Sequence, residues 1–398
     1  MGGVKNHPDV TLVSRIFAPE AAAASFRLEA LVNALAQQRL RVSVLTTIPA
    51  PGTNRDARSQ VDNYPNVRVR RVQAKRDKTG YIRGYLSYMS FDIPAFFRLL
   101  FRAAPRVYVV EPPPTTGAVV RLVAALKRRP YVYYAADIWS EAAVASAPKP
   151  VVALLRIVER FALRGAAEVI AISSGVAERV KSLGARRIRV VENGIDTDIF
   201  TPNGGFPRPL PQADPQEGDW LVYAGTASEF QGAEIFVDAF LQIADQYPTA
   251  RLLFLGQGTA FEYVRAASRR LESGRIVSSQ VDPVQAAAWQ RTAKVCLVSL
   301  RPGLGYDFAY PTKLLAALAS GTPVLFVGKG PGARDVREFQ LGLAVAYDVD
   351  AVAQAMRQFL NNEVKMENLR EWVLEHRSLQ KTGEEAARVI SDIRRQIP

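Results

Sequence analysis

Residues 220–256 read WLVYAGTASEFQGAEIFVDAFLQIADQYPTARLLFLG. The run 220–223 is apolar, 225–232 is small and polar, 232–246 is helical in pattern, and 251–255 is apolar again. Apolar strand, helix and apolar strand make a βαβ unit, whose parallel strands must be covered on both faces. The alternation extends outward in both directions. Further strand candidates are 10–13, 42–46, 67–72, 107–110, 131–135, 168–172, 188–191, 295–300, 324–327 and 343–346. Helical runs fall at 25–38, 116–127, 151–163, 313–319 and 351–360. The fold class is therefore α/β, with parallel sheets. The stretch 201–218 is rich in proline and glycine and reads as a linker. It divides the chain into an N-terminal domain, 1–200, and a C-terminal domain, 219–378, with a tail at 379–398. Each domain reads as doubly wound and Rossmann-like, with ligands expected outside the carboxyl ends of the strands and in a cleft between the domains.

A chain of 398 residues with 48% hydrophobic and 22% charged residues has ordinary globular composition. The formal net charge of +13 points to anionic partners. No nucleic-acid-binding pattern accompanies it, so phosphate-bearing ligands or an anionic membrane are expected instead. The one cysteine, Cys296, sits in the apolar run Val295-Cys296-Leu297-Val298 and reads as a buried strand residue. No stretch is long and apolar enough to span a bilayer, and residues 1–7 carry no apolar core of a signal peptide. The expected location is the cytoplasm, extending to the membrane surface.

Several loops carry residues suited to binding. Phe17-Ala18-Pro19-Glu20-Ala21-Ala22-Ala23-Ala24-Ser25 leads into the first helix, where free amides attract anions and Ser25 is a candidate N-cap. Gly225-Thr226-Ala227-Ser228 and Gly256-Gln257-Gly258 each follow a strand and suit a diphosphate, against the plain alternative of tight turns. The richest stretch is Arg301-Pro302-Gly303-Leu304-Gly305-Tyr306-Asp307-Phe308-Ala309-Tyr310-Pro311-Thr312-Lys313. Lys313 stands on the first turn of a helix, where the macrodipole disfavours a cation. That placement suggests an anionic ligand, a diphosphate with Arg301 assisting, against the plain alternative of a solvated lysine. Asp196-Thr197-Asp198 is a possible carboxylate pair for a metal, but reads better as part of a turn after Asn193-Gly194. Arg68, Arg70, Arg71, Lys75, Arg76, Lys78 and Arg83 precede an aromatic stretch running to Arg102. Cations beside aromatic faces suit an anionic membrane surface, the plain alternative being a solvated loop and an ordinary helix. His7 and His376 have no ligand spacing, so no metal or histidine-based triad is expected.

Four pieces carry a family resemblance. They are Phe17-Ala18-Pro19-Glu20, Asp137-Ile138-Trp139-Ser140-Glu141, residues 192–202, and Tyr310-Pro311-Thr312-Lys313-Leu314-Leu315 with 319–324. In this order they resemble the retaining glycosyltransferases of family 4, in particular the bacterial enzymes that build surface polysaccharides and lipid-linked glycans. The resemblance implies a GT-B fold and a C-terminal tail that crosses back onto the first domain. It implies a nucleotide-sugar donor, UDP-linked by family habit, held by Gly225, Thr226, Gly256, Gln257, Gly258, Tyr310, Pro311, Thr312 and Lys313. It implies a glycan or lipid-linked acceptor near Glu20, Ala22, Ala23 and Asp137. Lys313 and Arg301 would stabilise the leaving diphosphate and Asp137 would orient the acceptor, with no metal or other cofactor.

The chain departs from the family at several positions. The two glutamates that many members carry near this helix correspond to Phe308 and Ala316, and the basic pair of the diphosphate loop corresponds to Thr226 and Gln231. The alternatives to a transferase are a non-catalytic relative that binds a nucleotide sugar, and a nucleotide-sugar epimerase on the same fold.

Overall fold

The computed structural model describes residues 7–20, 22–49, 61, 64–76, 82, 85–145, 147–272, 274–304 and 306–397. The chain forms two compact units, one of residues 1–193 with 379–398, the other of residues 194–378.

The first unit is built on seven parallel strands, β1 (Val10–Val13), β2 (Val42–Thr47), β3 (Val67–Val72), β4 (Val107–Val110), β5 (Tyr131–Ala135), β6 (Glu168–Ala171) and β7 (Ile188–Val190). Their order is β3-β2-β1-β4-β5-β6-β7, so the winding reverses between β1 and β4. Right-handed crossovers then put the helices Tyr85–Phe101, Pro114–Leu126 and Lys149–Arg164 on one face and Ala23–Gln37 on the other. β1, β4 and β5 are buried along their whole length, as their almost wholly apolar runs require. The closing helix, Leu379–Arg395, packs on Ala23–Gln37. Ala386, Ile390 and Ile393 join Leu28, Leu31 and Leu35 in one core. The two helices approach so closely at Gly383 that a Cβ there would lie 2.4 Å from the Ala30 carbonyl oxygen.

The second unit repeats the plan with six parallel strands, β8 (Asp219–Ala224), β9 (Ala250–Leu255), β10 (Ile276–Ser279), β11 (Val295–Ser299), β12 (Val324–Val327) and β13 (Gly342–Val345). The order is β10-β9-β8-β11-β12-β13, with the reversal between β8 and β11. β10 escapes the sequence reading because it is short, polar in its second half and at the sheet edge, where one side needs no apolar partner. The helix Pro283–Thr292 was also missed, although its start is marked by Pro283 and by Asp282, whose side chain accepts from the Gln285 amide at 2.8 Å. The proline-rich stretch 201–218 lies within this unit. Arg291 donates to the carbonyls of Thr201 (2.8 Å) and Gly205 (2.5 Å), and Trp220 donates to that of Asp214. Hydrogen bonding thus fixes as structure a segment that composition reads as linker. Cys296 lies buried in β11, where desolvation pushes its thiol far above the usual range. Among the described residues, no helix is long and apolar enough to cross a membrane.

Candidate functional sites

In the first unit the winding reversal opens a recess of about 460 Å³ at the carboxyl ends of β1, β4, β5 and β6. Ser14, Glu20, Arg27, Glu111, Asp137 and Trp139 are among its lining residues. The floor is a buried charged network. Arg27 pairs with Glu111, and Ser14 Oγ donates to the other Glu111 oxygen at 3.0 Å. Desolvation raises the Glu111 carboxyl, and Arg27 and Ser14 pull it back. Beside it, Arg15 pairs with Asp92 at 3.3 Å and lies 4.0 Å over the Tyr88 ring. Burial lowers the Arg15 guanidinium to about 10. These pairs hold each other and leave no net charge for a ligand to neutralise.

Asp137 differs from them. It follows β5, reaches the open side of the recess, and has no hydrogen-bond partner among the described residues. Surrounding protein raises its carboxyl, with Arg27 acting against that shift. Glu20 also lines the recess, but Arg76 holds it at 2.5 Å and donates as well to Thr47 Oγ1 and the Ile48 carbonyl. Arg71 donates to the Ala18 carbonyl at 2.6 Å. Two members of the sequence-level basic cluster are therefore committed inside the unit; Lys78 and Arg83 lie outside the described residues. Ala22 is the N-cap residue and Ala23 the first residue of the helix, while Ala24 lines the recess. Ser25 is not the N-cap. It is the third helical residue, and its Oγ is buried with no hydrogen-bond partner among the described residues.

Arg15, Arg27 and Glu111 are site residues that sequence reasoning missed. The available signal was charge within apolar surroundings, Glu111 directly after a buried strand and Arg27 among leucines.

In the second unit the residues expected to bind a donor gather at the carboxyl edge of β8, β9 and β11. Gly225, Gly256 and Gly258 have φ of +125°, +136° and +137°, values that disfavour a side chain. Their loops lie backbone against backbone. The Ala227 amide donates to the Gln257 carbonyl at 2.9 Å, and a Cβ on Gly258 would fall 2.3 Å from the Ala227 carbonyl oxygen. Close packing thus accounts for the glycines, and it leaves Thr226 and Gln257 exposed at the loop tips. Gln231 accepts from the Ser228 amide at 2.8 Å and staples the loop from inside.

Lys313 runs its side chain over Gly225, with Nζ 5.5 Å from the Tyr223 ring centre. Its helix, Thr312–Ala319, starts at Pro311, and residues 314–319 are all buried. Among the described residues no acid or acceptor meets the ammonium, and burial lowers it to about 8. The Arg301 amide bonds the Phe230 carbonyl at 2.8 Å while its side chain is exposed. Tyr310 points elsewhere, donating to Asp335 at 3.0 Å beneath Arg377. Phe308 stacks on Tyr306, which stacks on Phe230 at 4.5 Å, and Ala316 is buried. A further recess of about 520 Å³ beside Gly256–Gly258 is walled by Glu262, Arg265 and the end of β10. Asp196 accepts from the amides of Asp198 and Ile199 at 2.9 and 3.1 Å, which supports the turn reading of that stretch.

Two parallel sheets wound in the same order, each reversing at its middle, invite comparison with known proteins. Residues 23–194 match the glycosyl transferase 4-like domain, and residues 218–362 match the glycosyl transferases group 1. The phosphatidyl-myo-inositol mannosyltransferase of Mycobacterium tuberculosis is 26% identical over 198 residues, 48% of this chain and 49% of that protein. The match thus spans about half the length of these curated relatives. Sucrose-phosphate synthase from Thermosynechococcus elongatus superposes with a TM-score of 0.62 at 19% identity, covering 97% of this chain and 96% of that one. Anabaena Alr3699/HepE, solved in complex with UDP-glucose, superposes with a TM-score of 0.67 at 16% identity, covering 97% and 100%. The two domain matches, in this order and on this α/β GT-B architecture, place the chain among the family 4 glycosyltransferases.

Proposed function

We propose that the protein transfers a sugar from a UDP-linked donor, held by the second unit, to a glycan or lipid-linked acceptor, held by the first, with retention of configuration. One observation supports the reading: among the described residues no acid or acceptor meets the Lys313 ammonium, which stands at a helix start beside glycine loops and suits a diphosphate. The UDP-glucose complex of the Anabaena neighbour supports the donor class, and the name of the mycobacterial relative supports a lipid acceptor. In the step, the acceptor hydroxyl oxygen bonds the anomeric carbon as the bond from that carbon to the diphosphate breaks. The hydroxyl proton passes to the leaving diphosphate on the same face. Lys313 and Arg301 neutralise the developing charge and Asp137 orients the acceptor. The scheme calls on no metal or other cofactor. The setting we propose is cell-envelope glycan synthesis at the inner face of the plasma membrane, with contact along residues 68–102.

The test is incubation of the purified protein with UDP-sugars and lipid acceptors, with glycosylated product and its anomeric configuration read by NMR. Product of retained configuration is expected. UDP binding without transfer to any acceptor would favour the second reading, a non-catalytic nucleotide-sugar binder. That reading draws on Ala316, a buried methyl where many relatives carry a glutamate.

A further inference from the structure

Large apolar residues are exposed along three adjacent helices of the first unit. On Lys149–Arg164 the buried residues are Glu159, Ala162 and Leu163, which face the rest of the unit. At 100° per residue, Val151, Leu154, Ile157 and Phe161 fall in an outward sector about 120° wide. Lys149, Arg156, Arg160 and Arg164 fall in the next sector, about 80° wide. Leu154 and Ile157 are 60% and 63% exposed. An ordinary surface helix turns its charges outward; this one turns its leucine and isoleucine outward and its cations to the flank.

The pattern continues across the neighbours. Arg121 lies 4.0 Å over the Phe161 ring and ties this helix to Pro114–Leu126, where Leu122 and Leu126 are exposed. Beyond it, Tyr85–Phe101 exposes Ile93, Phe97 and Phe101, the last at 81%. Arg98, Arg102 and Arg128 stand beside them, also exposed. The three helices contain only two acids, Asp92 and Glu159. Both are buried, Asp92 against Arg15 and Glu159 capping the amides of Trp139 and Ser140. The face is thus apolar and cationic, with no exposed acid on any of its helices.

We propose that this three-helix face inserts shallowly into an anionic bilayer, with Lys149–Arg164 entering deepest. Charge selects the occupant. A second copy of the same face would meet it with like charge, whereas anionic headgroups complement the cations and acyl chains take the apolar sector. The proposal rests on the membrane contact proposed above and moves its centre from the basic strand at 68–76 to the helices. It does not depend on sugar transfer.

The test is co-sedimentation of the full chain with vesicles of phosphatidylcholine alone and of phosphatidylcholine with phosphatidylglycerol. Binding is expected only to the anionic vesicles. Leu154→Asp with Ile157→Asp should reduce partition at least tenfold without shifting the melting temperature, because both sites are exposed. Arg156→Gln with Arg160→Gln should weaken binding in a salt-dependent way, and Arg68→Gln with Lys75→Gln should change it less than threefold. Should the wild type bind and the aspartate pair bind equally well, the helical face is refuted and membrane contact survives. Should the wild type bind no vesicle, both fail. A stable dimer dispersed by the aspartate pair would show the face to be a protein interface and overturn the proposal.

Discussion

Replacing Lys313 by methionine should strengthen the free protein and weaken its ligand. Burial lowers the ammonium from 10.5 to about 8. At about 1.4 kcal/mol per unit the shift corresponds to roughly 3 kcal/mol of lost stability. The side chain is only half-buried, and solvent screening brings this down to roughly 1–2 kcal/mol. A lysine with a depressed folded value is charged in both states below about pH 8, so its destabilising contribution is complete there. It fades between about pH 8 and 10.5 as the folded form loses its proton first. Lys313→Met should therefore raise the unliganded melting temperature by a few degrees at pH 7, and by little at pH 10. UDP affinity should fall by about 10–150-fold, the loss of a charged hydrogen bond worth about 1.5–3 kcal/mol. In the wild type, only about one molecule in eleven keeps the Lys313 proton at pH 9, so UDP should bind about tenfold more weakly there than at pH 7. Lys313→Arg keeps its charge and should flatten that slope. Calorimetric titration of UDP from pH 7.5 to 9.5, beside thermal unfolding, reads all of this. A flat wild-type profile together with unchanged affinity in the methionine variant would refute the assignment of Lys313 to a diphosphate.

Four further substitutions probe other parts of the framework. Gly258→Ala places a methyl 2.3 Å from the Ala227 carbonyl oxygen at a φ of +137°; about 2–4 kcal/mol of stability should be lost in urea unfolding, and UDP binding with it. Asp137→Asn removes an open carboxylate from the first unit's recess, so steady-state turnover should fall at least tenfold. UDP affinity of the same variant, measured by calorimetry, should stay within about twofold, since the donor groups are untouched. Arg27→Met leaves Glu111 buried without its cation and should cost about 3–5 kcal/mol; adding Glu111→Gln should restore more than half, as read by chemical denaturation.

Much of the fold was legible because interior parallel strands leave a mark that surface strands do not. β4, β5 and β12 are continuous apolar runs, and β1 and β11 are interrupted only by Thr11 and Ser299; the sequence reading meets all five at or within one residue of their ends. β10 and the short helices Ser174–Ser182 and Pro331–Glu338 escape it, since edge position and mixed composition erase the period. Among site residues, Lys313 was legible because a cation at a helix start is electrostatically odd. Arg27 and Glu111 were not: two charges that bury each other lie 84 positions apart, and each looks like solvated surface when read alone. Arg71 and Arg76 failed in the opposite sense, appearing as free basic charge while holding Ala18, Thr47 and Glu20 in place. Tyr310 shares a motif with Lys313, but its hydroxyl turns to Asp335, a partner on a different helix.

The closing helix, Leu379–Arg395, sets a timetable for synthesis. The apolar face of Ala23–Gln37 is made early, yet Ala386, Ile390 and Ile393 leave the ribosome only after all of residues 194–378. At about 5–20 residues per second, Leu28, Leu31 and Leu35 wait roughly twenty to seventy seconds for their cover. The second unit is continuous in sequence and can complete its core during that interval. The unit begun first is thus the unit finished last, and its bare helix is the surface a chaperone would meet on the nascent chain.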